Sequence, residues 1–126
     1  MVFWILAGIG AYLVNVYLAG WMLFARIGPV AYMGPRDSLP EDGVYRARAV
    51  KSAANFLENL PIFLALGVLT LVVDGADQAM AILGAQIFVL SRLVYMAVYV
   101  SGAPFIRSVV FTVGMAGLFL MGYALF

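Results

Sequence analysis

The chain has 126 residues and a formal net charge of +1, with no histidine and no cysteine. Hydrophobic residues make up 66% of it and charged residues 10%, and its mean hydropathy is +1.07, which excludes an ordinary soluble domain and predicts one compact integral membrane domain. Disulfides, thiolate metal sites and a cysteine nucleophile are excluded, and the commonest acid–base group and metal ligand is missing too, so no metal site is expected and any thiol chemistry must use a thiol brought by a substrate.

At roughly 20 apolar residues per crossing, the sequence predicts an all-α bundle of four spans, about 2–24, 46–73, 79–100 and 105–126. The first, Val2 to Phe24, carries no charge and is expected to end at Arg26, Gly28 and Pro29. It lacks a basic region before it and is followed by Arg26, so it reads as a retained span rather than a cleavable signal. The second helix is expected to begin near Ser38-Leu39-Pro40-Glu41, with Ser38 as the cap and Pro40 in the first turn. It runs to Val73, too long for the bilayer alone, so its first turns, with Arg46 and Arg48, should stand among the headgroups. Asp74, Gly75 and Asp77 form a polar turn, and Ser101-Gly102-Ala103-Pro104 forms the next.

Arg26, Arg36, Arg46, Arg48 and Lys51 surround the first connection and Arg107 follows the third, whereas the second holds Asp74 and Asp77. Basic residues favour the cytoplasmic side, which predicts cytoplasmic first and third connections and both termini outside; a chain this minimal suggests a bacterial inner membrane.

Glu58 is the most informative residue, because a carboxylate at bilayer depth costs several kcal/mol unless it is paired. Lys51, Asn55 and Glu58 recur at spacings of four and three, within about 60° of one helix face. At about 1.5 Å per residue, Glu58 and Arg92 reach similar depth from opposite directions. A purely structural Glu58–Arg92 pair would leave Lys51, Asn55 and Arg107 unexplained. Arg92, Tyr95 and Tyr99 form a second stripe at spacings of three and four. Arg107 and Ser108 open the fourth helix, where backbone N–H groups and the helix dipole favour an anion. A cation, a hydroxyl and free amides facing one point would stabilise a thiolate or an oxyanion, and arginine stays charged throughout.

Asn55-Phe56-Leu57-Glu58 followed by Pro61, with Arg48 and Lys51 upstream, resembles the signature of the MAPEG superfamily, membrane-associated proteins in eicosanoid and glutathione metabolism. The block SRLVYMAVYVSGAPFIRSVVF resembles the helix-three to helix-four segment of the same family, especially its prostaglandin E synthase branch. The resemblance covers nearly the whole chain and suggests a bacterial-type member like the microsomal glutathione transferases. It implies a homotrimer of four-helix protomers with glutathione bound between neighbours near the cytoplasmic face. By that resemblance Asn55 and Glu58 hold the γ-glutamyl end, with Glu58 facing its ammonium. Arg48, Lys51 and a neighbour's Arg26 meet the carboxylates, Arg92, Tyr95 and Tyr99 contribute from helix three, and Arg107 with Ser108 faces the sulfur. Glutathione carries two carboxylates, one ammonium and a thiol, and this residue set answers each.

Departures narrow the activity. Lys51 stands where several family members have arginine, Tyr95 where the prostaglandin branch has histidine, and Phe111 where that branch has tyrosine; the loop 101–104 is also shorter. The expected function is therefore a membrane glutathione S-transferase or peroxidase acting on lipophilic electrophiles or lipid hydroperoxides. The expected partners are a second and third copy, a lipophilic substrate and the lipid bilayer, with no nucleic acid. Two alternatives stand beside it. A drug–proton antiporter of four spans would carry its acid in helix one, which has none. A non-catalytic subunit of the same fold would bind a protein or lipid, and small residues such as Ala7, Ala11, Ala81 and Ala85 would suit helix packing in either case.

Overall fold

The computed structural model describes residues 1–35 and 37–126; Arg36, one of the cations in the topology argument, lies outside the described residues. The chain is all-α, with α1 (Val2–Met33), α2 (Val44–Val72), α3 (Gln78–Ser101) and α4 (Pro104–Tyr123). Each is long and apolar enough to cross a membrane. Phe3, Trp21, Phe105 and Phe119 stand largely exposed, an apolar exterior that suits lipid and not water.

One helix end differs from the sequence expectation. α1 breaks where expected, at Gly28, and a short helical segment follows the break. Its backbone leaves the helix at Gly28 (φ 75°, ψ 169°) and resumes from Pro29 to Met33, because proline needs no N–H at a helix start and its φ is already set. Gly28-Pro29 is thus a kink, and it brings Tyr32 back against Phe24, ring centroids 5.5 Å apart. α2 does not begin at Ser38. It begins after Gly43, which holds extended backbone at the N-cap and offers no side-chain cap. A start at Ser38 would put Gly43 inside the helix at a cost of about 1 kcal/mol. The observed start instead leaves Asp42 at the positive end of α2, paired with Arg46 one turn on.

The remaining turns are tight. Asp77 caps α3 by accepting from the Met80 N–H at 3.0 Å, and the Asp77 N–H donates to the Ala124 carbonyl at 2.8 Å, fastening the start of α3 to the end of α4. Gly102 closes α3 in the left-handed conformation (φ 86°), its N–H directed at the Val98 and Tyr99 carbonyls.

The core lies between the helices, around Phe56, Phe63, Phe88, Leu118 and Met121, with Phe63 and Phe88 stacked at 4.7 Å and 17°. α3 and α4 approach closely where Gly84 faces Gly117. A Cβ on either glycine would stand 2.6 Å from the other's carbonyl oxygen, so only a residue without a side chain fits. α1 packs on α2 and α3, and among the described residues its backbone does not come close to that of α4.

This contact yields a paired expectation. Gly84→Ala should destabilise the protein by about 1–3 kcal/mol through overpacking, whereas Gly10→Ala, whose new methyl meets nothing within 4 Å, should be neutral or slightly stabilising through helix propensity. Thermal unfolding of both variants in detergent checks it, and equal midpoints would mean that the α3–α4 approach is not constrained at Gly84.

Candidate functional site

The polar residues of all four helices gather toward one end of the bundle. On α2, Lys51 and Glu58 are exposed, Asn55 is half-buried and Ser52 is buried. The stripe anticipated from spacing therefore straddles an edge, with its middle member turned toward α3 and its outer members on the open face. Glu58 does not pair with Arg92. Among the described residues the one ion pair is Arg46–Asp42.

Arg92 is instead buried, 1% exposed, and its Nη1 donates to Asn55 Oδ1 at 2.9 Å. Four rings surround the guanidinium: Phe88 at 5.0 Å, Phe111 at 5.1 Å, Tyr95 at 5.6 Å and Phe56 at 6.0 Å from Cζ to the ring centroids. Their faces carry negative quadrupole density, which partly replaces the hydration a buried cation loses. Nη2 lies 3.9 Å from Met115 Sδ, and Nε is without a partner among the described residues.

Beside this cluster lies a cleft of about 370 Å³ lined by Asn55, Tyr95, Tyr99, Arg107, Ser108, Phe111 and Thr112. Tyr95 and Tyr99 meet at 5.4 Å, and the Arg107 guanidinium lies over the Tyr99 ring at 4.7 Å, which holds the charge at the cleft wall. Ser108 Oγ donates to the Pro104 carbonyl at 3.2 Å, so in this conformation its lone pairs, not its proton, face the cleft. Pro104 has no N–H, and the Arg107 N–H already bonds the Ala103 carbonyl at 3.1 Å. The orphan amides of this helix end are thus those of Phe105 and Ile106.

A second cleft, about 250 Å³, shares Tyr99 and Arg107 with the first and adds Arg48, Lys51 and the turn Gly102-Ala103-Pro104. Three cations line it and no acid does, an arrangement that favours an anion. Arg48 is anchored there by a bond from Nη1 to the Val100 carbonyl at 3.3 Å, at the negative end of α3. Its guanidinium rests directly on Gly102, where a Cβ would collide with it.

The structure thus brings Arg48, Lys51, Asn55, Tyr95, Tyr99, Arg107 and Ser108 into two joined clefts. It leaves Arg92 behind the wall, Glu58 on the outer face of α2, and Arg26 in a separate depression with Met22, Gly43, Tyr45, Arg46 and Val100. Sequence reasoning missed α1's own contribution: Asn15, 1% exposed, donates from Nδ2 to Ser52 Oγ at 3.2 Å, one position from Lys51. The signal was available, since Asn15 is an amide within an otherwise apolar span. Thr112 was missed as well, one helical turn beyond Ser108.

The model of the MAPEG family matches residues 4–126, essentially the whole chain. No curated protein and no solved structure shows a significant match to it.

The seat of Arg48 on the α3–α4 turn is open to test. Gly102→Ala should cost about 1–2 kcal/mol from the left-handed backbone alone, read as a lower unfolding midpoint. Removing the Arg48 side chain in the same background should recover part of the loss, because the new methyl and the guanidinium compete for one space. Simple additivity of the two changes would show that Arg48 does not rest there.

Proposed function

The chain belongs to the MAPEG family, and from that premise we propose that it is a membrane glutathione S-transferase or peroxidase acting on lipophilic electrophiles or lipid hydroperoxides. The observation that carries this reading is the pair of joined clefts, in which Arg48, Lys51 and Arg107 converge with Asn55 and two tyrosines. Glutathione suits them chemically: its carboxylates require cations, and its thiol requires a positive group that favours the anion. Bound glutathione supplies the nucleophilic sulfur.

The chain's own residues do the rest. Arg48 and Lys51 hold carboxylate, Lys51 as a point charge and Arg48 as a planar fork. Tyr95 and Tyr99 shape the wall. Arg107, fixed over Tyr99, presents its charge to the cleft and stabilises a thiolate, since an unperturbed thiol near pKa ~8.5 is only a few per cent ionised at neutral pH. The lipophilic partner reaches the site from the bilayer, through the side on which α1 and α4 stand apart. The basic residues Arg46, Arg48, Lys51 and Arg107 orient these clefts to the cytoplasm, with both termini outside, as in a bacterial inner membrane.

The working unit in this reading is a homotrimer. Val50, Ala54, Leu57, Pro61, Ala65 and Val68 form an exposed row on α2 at helical spacing, and Lys51 and Glu58 border it. Facing lipid, those two charges would cost several kcal/mol, and neighbouring copies remove that cost. Arg26 and Glu58 then serve the site from the contact between copies. Native mass spectrometry in mild detergent should show a trimer. Glu58→Gln should weaken glutathione binding by about 1.5–3 kcal/mol while the trimer persists. A monomeric wild-type protein would remove this part of the reading.

Arg107 carries the chemical test. Because its charge favours the ionised thiol, Arg107→Ala should raise the pKa of bound glutathione toward that of the free thiol. Turnover near neutral pH should then fall far more than KM rises, by about ten- to thirtyfold, the range set by the lost thiolate fraction, and the gap should narrow as the pH passes ~8.5. Arg107→Lys should retain part of the rate. Thiolate absorbance against pH measures the shift directly; identical titrations in wild type and Arg107→Ala would leave Arg107 a cytoplasmic anchor only.

A further inference from the structure

Arg92 is the one deep cation that the proposed chemistry does not use. It is 1% exposed, it lines neither cleft, and rings from α2, α3 and α4 stand against its guanidinium. Its polar side-chain partner is the oxygen of Asn55. Asn55, by contrast, lines the larger cleft.

We propose that Arg92 is a positioning residue that acts on the ligand only through Asn55, locking that side-chain amide with its NH2 group toward the cleft, so that Asn55 donates to a ligand carboxylate. The argument rests on donor chemistry. A guanidinium has five N–H donors and no acceptor, so the Asn55 atom that meets Arg92 must be Oδ1, and a flipped amide would set N–H against N–H in a site shut off from water. With Oδ1 committed to Arg92, the group left for the cleft is Nδ2, which bonds no acceptor among the described residues. A lone asparagine in a cleft is ambivalent, able to accept from an ammonium or donate to a carboxylate. Arg92 removes that ambivalence. The remaining polar wall of the cleft points the same way, since Arg107 supplies a cation there and no acid lines it.

The inference deepens the glutathione reading and rests on it: Asn55 would read the α-carboxylate of the γ-glutamyl residue, leaving the ammonium to another group. The test compares glutathione with γ-aminobutyryl-cysteinyl-glycine, which lacks only that carboxylate, by calorimetric titration of the detergent-solubilised protein. Wild type should prefer glutathione by about ten- to a hundredfold, the range for a hydrogen bond to a charged group. Asn55→Asp keeps the acceptor that Arg92 needs, so its unfolding midpoint should hold, yet it should erase or reverse the preference. A tighter grip on glutathione in Asn55→Asp would mean that position 55 accepts from the ammonium, and would overturn the proposal.

Arg92→Met should also lose the preference, and Arg92→Lys, which again offers only donors to Oδ1, should restore part of it. In an Asn55→Ala background, Arg92→Met should cost no further preference. A further loss there would mean that Arg92 touches the carboxylate itself, against the proposal. If Arg92→Met does not fold, Asn55→Asp and Arg92→Lys decide by the same criteria. Failure of the wild-type protein to bind glutathione would sink the reading of the site as a whole, whereas binding with an unchanged preference in folded Asn55→Asp would sink this inference alone.

Discussion

A guanidinium buried without a carboxylate is the constraint on which the polar half of this molecule depends. Taking an unpaired charge out of water costs several kcal/mol even after relaxation, and Arg92 meets that cost with one amide oxygen and four ring faces. Phe56 comes from α2, Phe88 and Tyr95 from α3, and Phe111 from α4, so the same cation fixes three helices at one level. Phe88 also stacks on Phe63 in the core, and Tyr95 contacts Tyr99 at the cleft. The apolar core and the cleft therefore share a wall, with the charge inside it. Substitutions at Phe88 or Phe111 would be felt on both sides.

Much of this was legible from spacing. The rows Lys51-Asn55-Glu58 and Arg92-Tyr95-Tyr99 follow from helical periodicity, and the rise per residue brings Arg92 to the level of the α2 stripe. What periodicity leaves open is direction. A stripe about 60° wide does not say which of its members turns inward, and here it is the neutral Asn55 that meets Arg92 while Glu58 turns outward. Depth alone set Glu58 level with Arg92 and left a pair between them open; packing selected the amide, because α3 meets the flank of α2 that carries Asn55 and Phe56. Gly84 and Gly117 were not visible for a related reason, since their importance lies in facing each other across two helices.

The connection between α1 and α2 was read only in part, because glycine and proline have more than one use. Gly28-Pro29 breaks α1 as its composition implies, but the proline also sits in the first turn of a new helical segment that runs to Met33. Ser38 had the chemistry of a cap, but Gly43 downstream makes an early start costly. Gly102 carried an unambiguous signal, being followed by Ala103-Pro104, and the α3–α4 turn falls where the sequence put it.

The clefts separate two kinds of recognition. Within one protomer they are lined by Arg48, Lys51, Arg107, an amide and hydroxyls, which suits anionic ends of a ligand. The nearest acid on α2, Glu58, lies on the open face and lines neither cleft. A zwitterionic ligand with both carboxylates and an ammonium is therefore only partly answered by a single chain. If the α2 faces of neighbouring copies close over Lys51 and Glu58, the acid enters the site at the contact, and assembly and recognition of the ammonium become one event. On that logic the contact that would relieve Lys51 and Glu58 of their exposure to lipid is the same contact that would complete the proposed binding site.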